Sequence, residues 1–265
     1  MRKPFYLKSC LRLSAMMLLL TLISGCVTTV DSPFNRKASE EKAVQSHIQL
    51  GLAYIQDGDY VTARQRLDRA LEINPKSAGA HAALGLVFQR QGEPELAEAS
   101  FKKALSYDAG YTRGRTYYAA FLYERDRFEE AAKQLELAGE DTTFSDRAQV
   151  FSNLGMTYAR LERPEKALEA YQRSISLSRA PQANVVLAIS QLHQMLGNDD
   201  LAWRRYSQFL DLVRQGNGNH SPGSLRLGIE LAKKQGERDV QASLELLLRN
   251  RFPSASGNTT QQSKP

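Results

Sequence analysis

Cysteine is nearly absent from this chain: Cys10 and Cys26 are the two in 265 residues. Cys10 falls in an opening segment that reads as a leader, so a chain processed after Gly25 has no pair to bridge, and it must fold on its hydrophobic core without a disulfide staple. Long apolar runs are also missing. The longest, from about Ala15 to Ile23, falls short of the roughly 20 residues that a membrane-spanning helix needs. Catalytic signatures are missing too: there is no His-Glu-x-x-His and no Gly-x-Ser-x-Gly. None of the four histidines, His47, His81, His193 and His220, stands at metal-ligand spacing from another. The GNGNH stretch at 216–220 has neither a following Lys-Ser or Lys-Thr nor a preceding strand, which excludes a phosphate loop. No residue set nominates a catalyst, a metal or a cofactor, and the chain reads as a non-enzyme without a small-molecule substrate. A surplus of positive charge is also largely missing. The net charge of +6 includes four basic residues, Arg2, Lys3, Lys8 and Arg12, in the first 25; without them 31 basic residues face 29 acidic ones. That balance does not point to nucleic acid.

What is present begins with that leader. A basic start, a short apolar stretch and the small residues Ser24 and Gly25 form the layout of a secretory signal. The stretch LLLTLISGCV, residues 18–27, then places Cys26 directly after the small residues. This resembles the lipobox of bacterial lipoproteins. The resemblance implies cleavage after Gly25, diacylglycerol on the Cys26 sulfur and acylation of the new amino terminus. Several acyl chains hold a protein to a bilayer where one chain attaches only reversibly. Val27, rather than an aspartate, follows the cysteine and favours the outer membrane, with the protein facing the periplasm; a soluble secreted protein with an incidental cysteine is the alternative. Residues 26–40 mix Thr, Ser, Pro, Asn and charge without periodicity and are expected to form a lipidated flexible tether. Residues 254–265 are almost devoid of apolar side chains and are expected to be disordered.

Between these ends the sequence repeats itself. HIQLGLAYIQDGDYVTARQRLDRALEINP from His47 aligns without a gap on HAALGLVFQRQGEPELAEASFKKALSYDA from His81, at a spacing of 34. Small residues recur at Gly51, Gly85, Ala119 and Gly155 in one helix, and at Ala63, Ala97, Ala131, Ala167 and Ala202 in the next. Small side chains let two antiparallel helices approach closely, while Leu50, Tyr54 and Leu67, then Leu84, Phe88 and Phe101, are expected to fill the space around them. Gly58-Asp59 and Gly92-Glu93 end first helices, and Asn74-Pro75 ends a second one. Further units start near Thr112 and Ala148; a degenerate fifth contains Trp203 as a packing residue, and a looser sixth follows the loop at 216–224. The period matches the tetratricopeptide repeat. The expected fold is all-α: about six helix pairs over residues 41–253 in one right-handed superhelical solenoid.

Such a solenoid presents an inner surface lined by the first helix of each pair. Positions one, five and eight after His47 are expected on that surface: Ile48, Leu52 and Ile55. Their counterparts are Ala82, Leu86 and Gln89, then Thr116, Ala120 and Tyr123. Aliphatic side chains on a face that normally meets water suggest a protein-binding groove, with Ile48, Leu52, Ile55, Leu86 and Tyr123 as its residues. A helix or peptide laid in the groove is the expected ligand, and a tether folded back over it is the alternative. Ile48 and Leu52 occupy positions where a carboxylate clamp needs cationic or amide groups, which argues against that mode. Arg90 and Arg113 read as surface residues, as do mixed-charge runs such as ERDRFEEAAK.

With lipobox, tether and repeats in view, DRAQVFSNLGMTYARLERPEKALEAYQRS and SLRLGIELAKKQGERDVQASLELLLRNRFP are similar to segments of the PilF/PilW family of outer-membrane lipoproteins. The resemblance extends over nearly all of residues 26–253. It implies a pilotin: a non-enzymatic factor that helps the type IV pilus secretin reach, or multimerise in, the outer membrane, and so supports pilus extrusion and twitching motility. Its implied partners are the secretin and, through the anchor, outer-membrane lipid. An adaptor for peptidoglycan hydrolases and a component of outer-membrane barrel assembly are the alternatives.

Overall fold

Twelve α-helices and a closing 3-10 turn follow one another through residues 33–255, the part of the chain that the computed structural model describes, and no strand occurs among those residues. The helices are α1 Pro33–Gln56, α2 Tyr60–Ile73, α3 Ala78–Gln91, α4 Pro94–Tyr107, α5 Thr112–Tyr123, α6 Phe128–Gly139, α7 Arg147–Arg160, α8 Pro164–Leu177, α9 Ala183–Met195, α10 Asp199–Arg214, α11 Pro222–Gln235 and α12 Arg238–Arg251. The expected signal segment, Cys26 and residues 256–265 lie outside the described residues. The chain divides into two units, Met1–Ala43 and Val44–Pro265.

In the first unit the described residues 33–43 open α1, and those from Arg36 to Lys42 are exposed. Helix therefore covers residues 33–40, where a flexible tether was expected. Proline is pre-organised for the first helical position, the following Lys, Ala and Glu residues are strong helix formers, and Arg36 pairs with Glu40 one turn on at 3.3 Å.

In the second unit the helices pack in consecutive pairs. The small residues act as the sequence implies. A methyl group at Gly51 would stand 2.7 Å from Leu67, at Gly85 2.6 Å from Phe101, and at Gly155 2.8 Å from Tyr171. In the fifth pair Ser190 takes the small position, and its buried hydroxyl donates to the Ala202 carbonyl of the opposing helix at 2.8 Å.

Local chemistry places the helix ends. Asp59 caps α2 by accepting from the Thr62 N–H, Ser77 caps α3 from the Ala80 N–H, and Ser221 with Ser224 forms a reciprocal capping box at α11. The turn inside each pair passes through a left-handed residue: Gly58, Gly92, Asp126, Glu162, Gly197 and Gly236. Four are glycines, which adopt that conformation freely; Asp126 and Glu162 hold it at φ 57° and 54° with a side chain attached.

Neighbouring pairs are tied by contacts that recur at the repeat spacing. Gln89 donates to Glu124, Arg160 pairs with Asp126, Arg163 with Glu129, and Lys234 with Asp199. Arg127 bridges Glu130 of its own helix and Glu98 of the preceding pair, and Glu98 also accepts from the Tyr118 hydroxyl at 2.9 Å. These contacts set consecutive pairs in a common orientation and give the unit its stacked, superhelical form.

Candidate functional site

The register of the first helices decides which of their side chains are open to a partner. Ile48, expected in the groove, is only 4% exposed and belongs to the first core cluster with Ala63, Leu67 and Ala83. Its Cδ1 lies 3.0 Å from the point where a Cβ at Gly79 would stand, so it fills the seam between α1 and α3. Ala82, at the same register position, is buried too. Leu50 shows the reverse: expected in the core, it is 42% exposed. Its counterparts Leu84, Tyr118 and Leu154 are buried; Tyr118, for example, leans on Phe101 of the preceding pair. The first pair has no preceding pair among the described residues, so Leu50 has nothing to lean on.

The other expected groove residues are half-buried. Leu52 and Ile55 pack on the first core cluster, and Leu86 and Tyr123 on the cluster around Phe101 and Phe121. One position further along the stack, the structure adds a residue that sequence reasoning missed. Met156 occupies the register position of Leu52, Leu86 and Ala120, and is 40% exposed. The signal was available, because it directly follows Gly155 as Leu52 follows Gly51 and Leu86 follows Gly85.

Met156 and Tyr123 line a cleft of about 320 Å³ between α5 and α7, with Ala119, Ala120, Leu135 and Thr157 completing most of its wall. Its surface is largely aliphatic, with Glu124 and Asn153 at the edge. The edge is ordered by packed charge. The Arg160 guanidinium sits 4.5 Å from the centre of the Phe128 ring and 5.8 Å from that of Tyr123, while also pairing with Asp126. The two rings meet edge to face at 5.1 Å. An apolar cleft in a fixed frame of this kind suits an aliphatic or amphipathic helical segment, which exchanges water for Met156, Ala120 and Tyr123 without leaving a charge unpaired. Arg90 and Arg113 are exposed, outside this wall.

The histidines have structural surroundings. His81 is buried, with Nε2 3.0 Å from the Pro75 carbonyl oxygen and its ring 5.3 Å from that of Tyr107. Burial lowers its pKa and that of His193. Among the described residues no group of three or more His, Cys, Asp or Glu side chains is placed to hold a metal ion. Nor is any helix there long and apolar enough to cross a membrane.

Profiles of the tetratricopeptide repeat match residues 51–92, 88–152 and 148–179. The type IV pilus assembly protein PilF of Pseudomonas aeruginosa is 38% identical over 245 residues, which is 92% of this chain and 95% of that protein. Its solved structure superposes with a TM-score of 0.74, covering 82% of this chain and 96% of the other. PilW, described as a widely conserved type IV pilus biogenesis factor, shares the fold, with a TM-score of 0.65 at 23% identity over 79% of this chain and 94% of its own. The stacked helix pairs are thus those of a tetratricopeptide-repeat solenoid, a scaffold for binding protein, and the chain belongs to the PilF family.

Proposed function

We propose that this protein is a type IV pilus assembly factor of the pilotin kind, which binds the pilus secretin and promotes its arrival and multimerisation in the outer membrane. The observation that carries this reading is the 38% identity to PilF along nearly the full length of both chains. The row Leu52, Leu86, Ala120 and Met156, with the cleft at Tyr123, supplies an apolar surface for a secretin segment that would otherwise aggregate. Acylation at Cys26 holds the factor on the periplasmic face of the outer membrane. Confinement there raises the effective concentration of factor and client without any new contact. Twitching motility is the cellular output.

The test compares wild type, Met156→Glu, Leu52→Glu and Cys26→Ser for heat-stable secretin multimers in fractionated outer membranes. A charge in the cleft is expected to deplete multimers while the factor stays folded and localised. Loss of the acyl anchor is expected to move both proteins away from the outer membrane. Normal multimers in a strain lacking the factor altogether would refute the assignment, and normal multimers with Met156→Glu and Leu52→Glu would refute the cleft.

A further inference from the structure

Near the carboxy-terminal end of the solenoid the fifth repeat carries an insertion. The small positions Ser190 and Gly228 are 38 residues apart instead of 34. The extra length goes into α10, which has 16 residues, and into the loop that follows it. That loop is not loosely hung. Gly216 adopts φ 80°, the Asn217 N–H donates to the Leu212 carbonyl at 2.8 Å, and Gly218 lies so close to Ala183 that a Cβ there would stand 2.6 Å from the alanine methyl. Folded back in this way, the loop and the start of α9 border an open cleft of about 660 Å³, with Asn184, Gln215, Asn217 and Asn219 exposed to solvent along it; its volume is in the range of about 300–1,000 Å³ typical of ligand sites.

The chemistry of the wall is distinctive. Five side-chain carboxamides line it: Gln182 and Asn184 from the α9 side, and Gln215, Asn217 and Asn219 from the loop. None of the five side chains makes a hydrogen bond to another described residue. The apolar part of the lining is the half-buried Leu187 with the buried Phe209 and Leu212, and no charged side chain contributes to the lining. Arg214, next in sequence, is already paired with Asp211.

We infer that this open cleft is a second peptide-binding site, separate from the inner-face cleft, which takes an extended, uncharged segment through its main chain. Each carboxamide offers a donor and an acceptor, the same pair that a peptide group presents, so the set suits backbone amides whatever the side chains. An aliphatic side chain directed inward meets Leu187, the partly exposed apolar residue of the lining. An ionic ligand finds no counter-charge in the lining, so a phosphate, a nucleic acid or a charged peptide is disfavoured. A sugar ring finds no platform: the one aromatic residue of the lining, Phe209, is 2% exposed.

The probe is a capped heptapeptide alternating Thr, Gln or Asn with Leu or Val, titrated calorimetrically into the full chain in mild detergent. Saturable binding is expected, and removing each paired carboxamide is expected to weaken it about threefold to tenfold, so that Asn184→Ala with Asn217→Ala together reduces affinity at least about tenfold. Met156→Glu, in the other cleft, is expected to leave this binding unchanged, which keeps the site independent of the secretin reading. Both asparagines are exposed, and an unchanged melting temperature verifies folding. No binding at millimolar peptide, equal binding by the double variant, or preference for an N-acetylglucosamine tetramer or for the same peptide with glutamates would each overturn the proposal.

Discussion

Leu50 and Leu67 are both leucines of the first helix pair, yet their surroundings are opposite. Leu67 is 0% exposed and lies against Gly51, while Leu50 is 42% exposed. Leu67→Ala is therefore expected to destabilise by about 2–5 kcal/mol through lost burial and a residual cavity, while Leu50→Ala stays within about 0.5 kcal/mol. Overpacking gives the converse case. Gly85→Ala pushes a methyl group into the fully buried Phe101 ring, which has no solvent side to move toward, and is expected to destabilise by about 1–3 kcal/mol. Urea denaturation of the three variants measures all of this. Equal losses for Leu50→Ala and Leu67→Ala would contradict the packing described.

Among elements, the six turns within pairs share one backbone conformation but not one residue type. Glu162 is exposed and holds φ 54°, where four equivalent turns have glycine. A side chain in the left-handed region is strained by about 1 kcal/mol or more, offset in part by the greater unfolded-state entropy of glycine. Glu162→Gly is thus expected to stabilise by about 0.5–1 kcal/mol, read as a raised thermal midpoint. Asp126 is a poorer subject for the same change, because its carboxylate also pairs with Arg160, the cation that frames the cleft. The period of these turns was legible in the sequence at Gly58 and Gly92. At Asp126 and Glu162 it was not: aspartate visits the left-handed region more often than most residues but is common elsewhere, and glutamate gives no such signal.

For the whole molecule, acid sensitivity is distributed along the stack. His81 in the second pair, His193 in the fifth and His220 in the following loop all have pKa values lowered by burial, and a neighbouring cation, Lys103, Arg205 or Arg251 respectively, adds to the effect. A lowered folded-state value means that the unfolded chain takes up protons first. Stability is therefore complete above about pH 6.5 and declines as pH falls through that value, by at most about 1.4 kcal/mol per pH unit for each histidine. A second loss follows at lower pH. Hydrogen bonding from Arg127, then from Lys102 and Tyr118, holds the Glu98 carboxyl down to about 2, so its stabilising contribution is lost as pH falls from about 4.5 towards 2. Thermal melts from pH 8 to 5 are expected to show a level region and then a fall, with a shallower fall in His193→Gln. A midpoint unchanged down to pH 5 would rule out the histidine contribution.

The sequence by itself determined the repeat and the pairing of helices, because a period of 34 to 36 with small residues at Gly51, Gly85 and Gly155 brings consecutive helices close enough to pack as antiparallel pairs; of the inner-face row it identified Leu52 and Leu86 but misplaced Ile48 and missed Met156. The PilF family showed in the sequence as a resemblance, carried by the fourth- and sixth-repeat segments and not by the period. Burial at the first pair was decided by tertiary structure alone: Ile48 is covered because α3 follows it, and Leu50 is open because no described pair precedes it. The carboxamide cleft depends still more on the fold. Asn184 and Asn217 are 33 residues apart and belong to no motif; they line one cleft because the inserted loop turns back over Ala183. A local pattern specifies which faces of a helix are apolar, whereas which of those faces stays open depends on the neighbours that the folded chain brings to it.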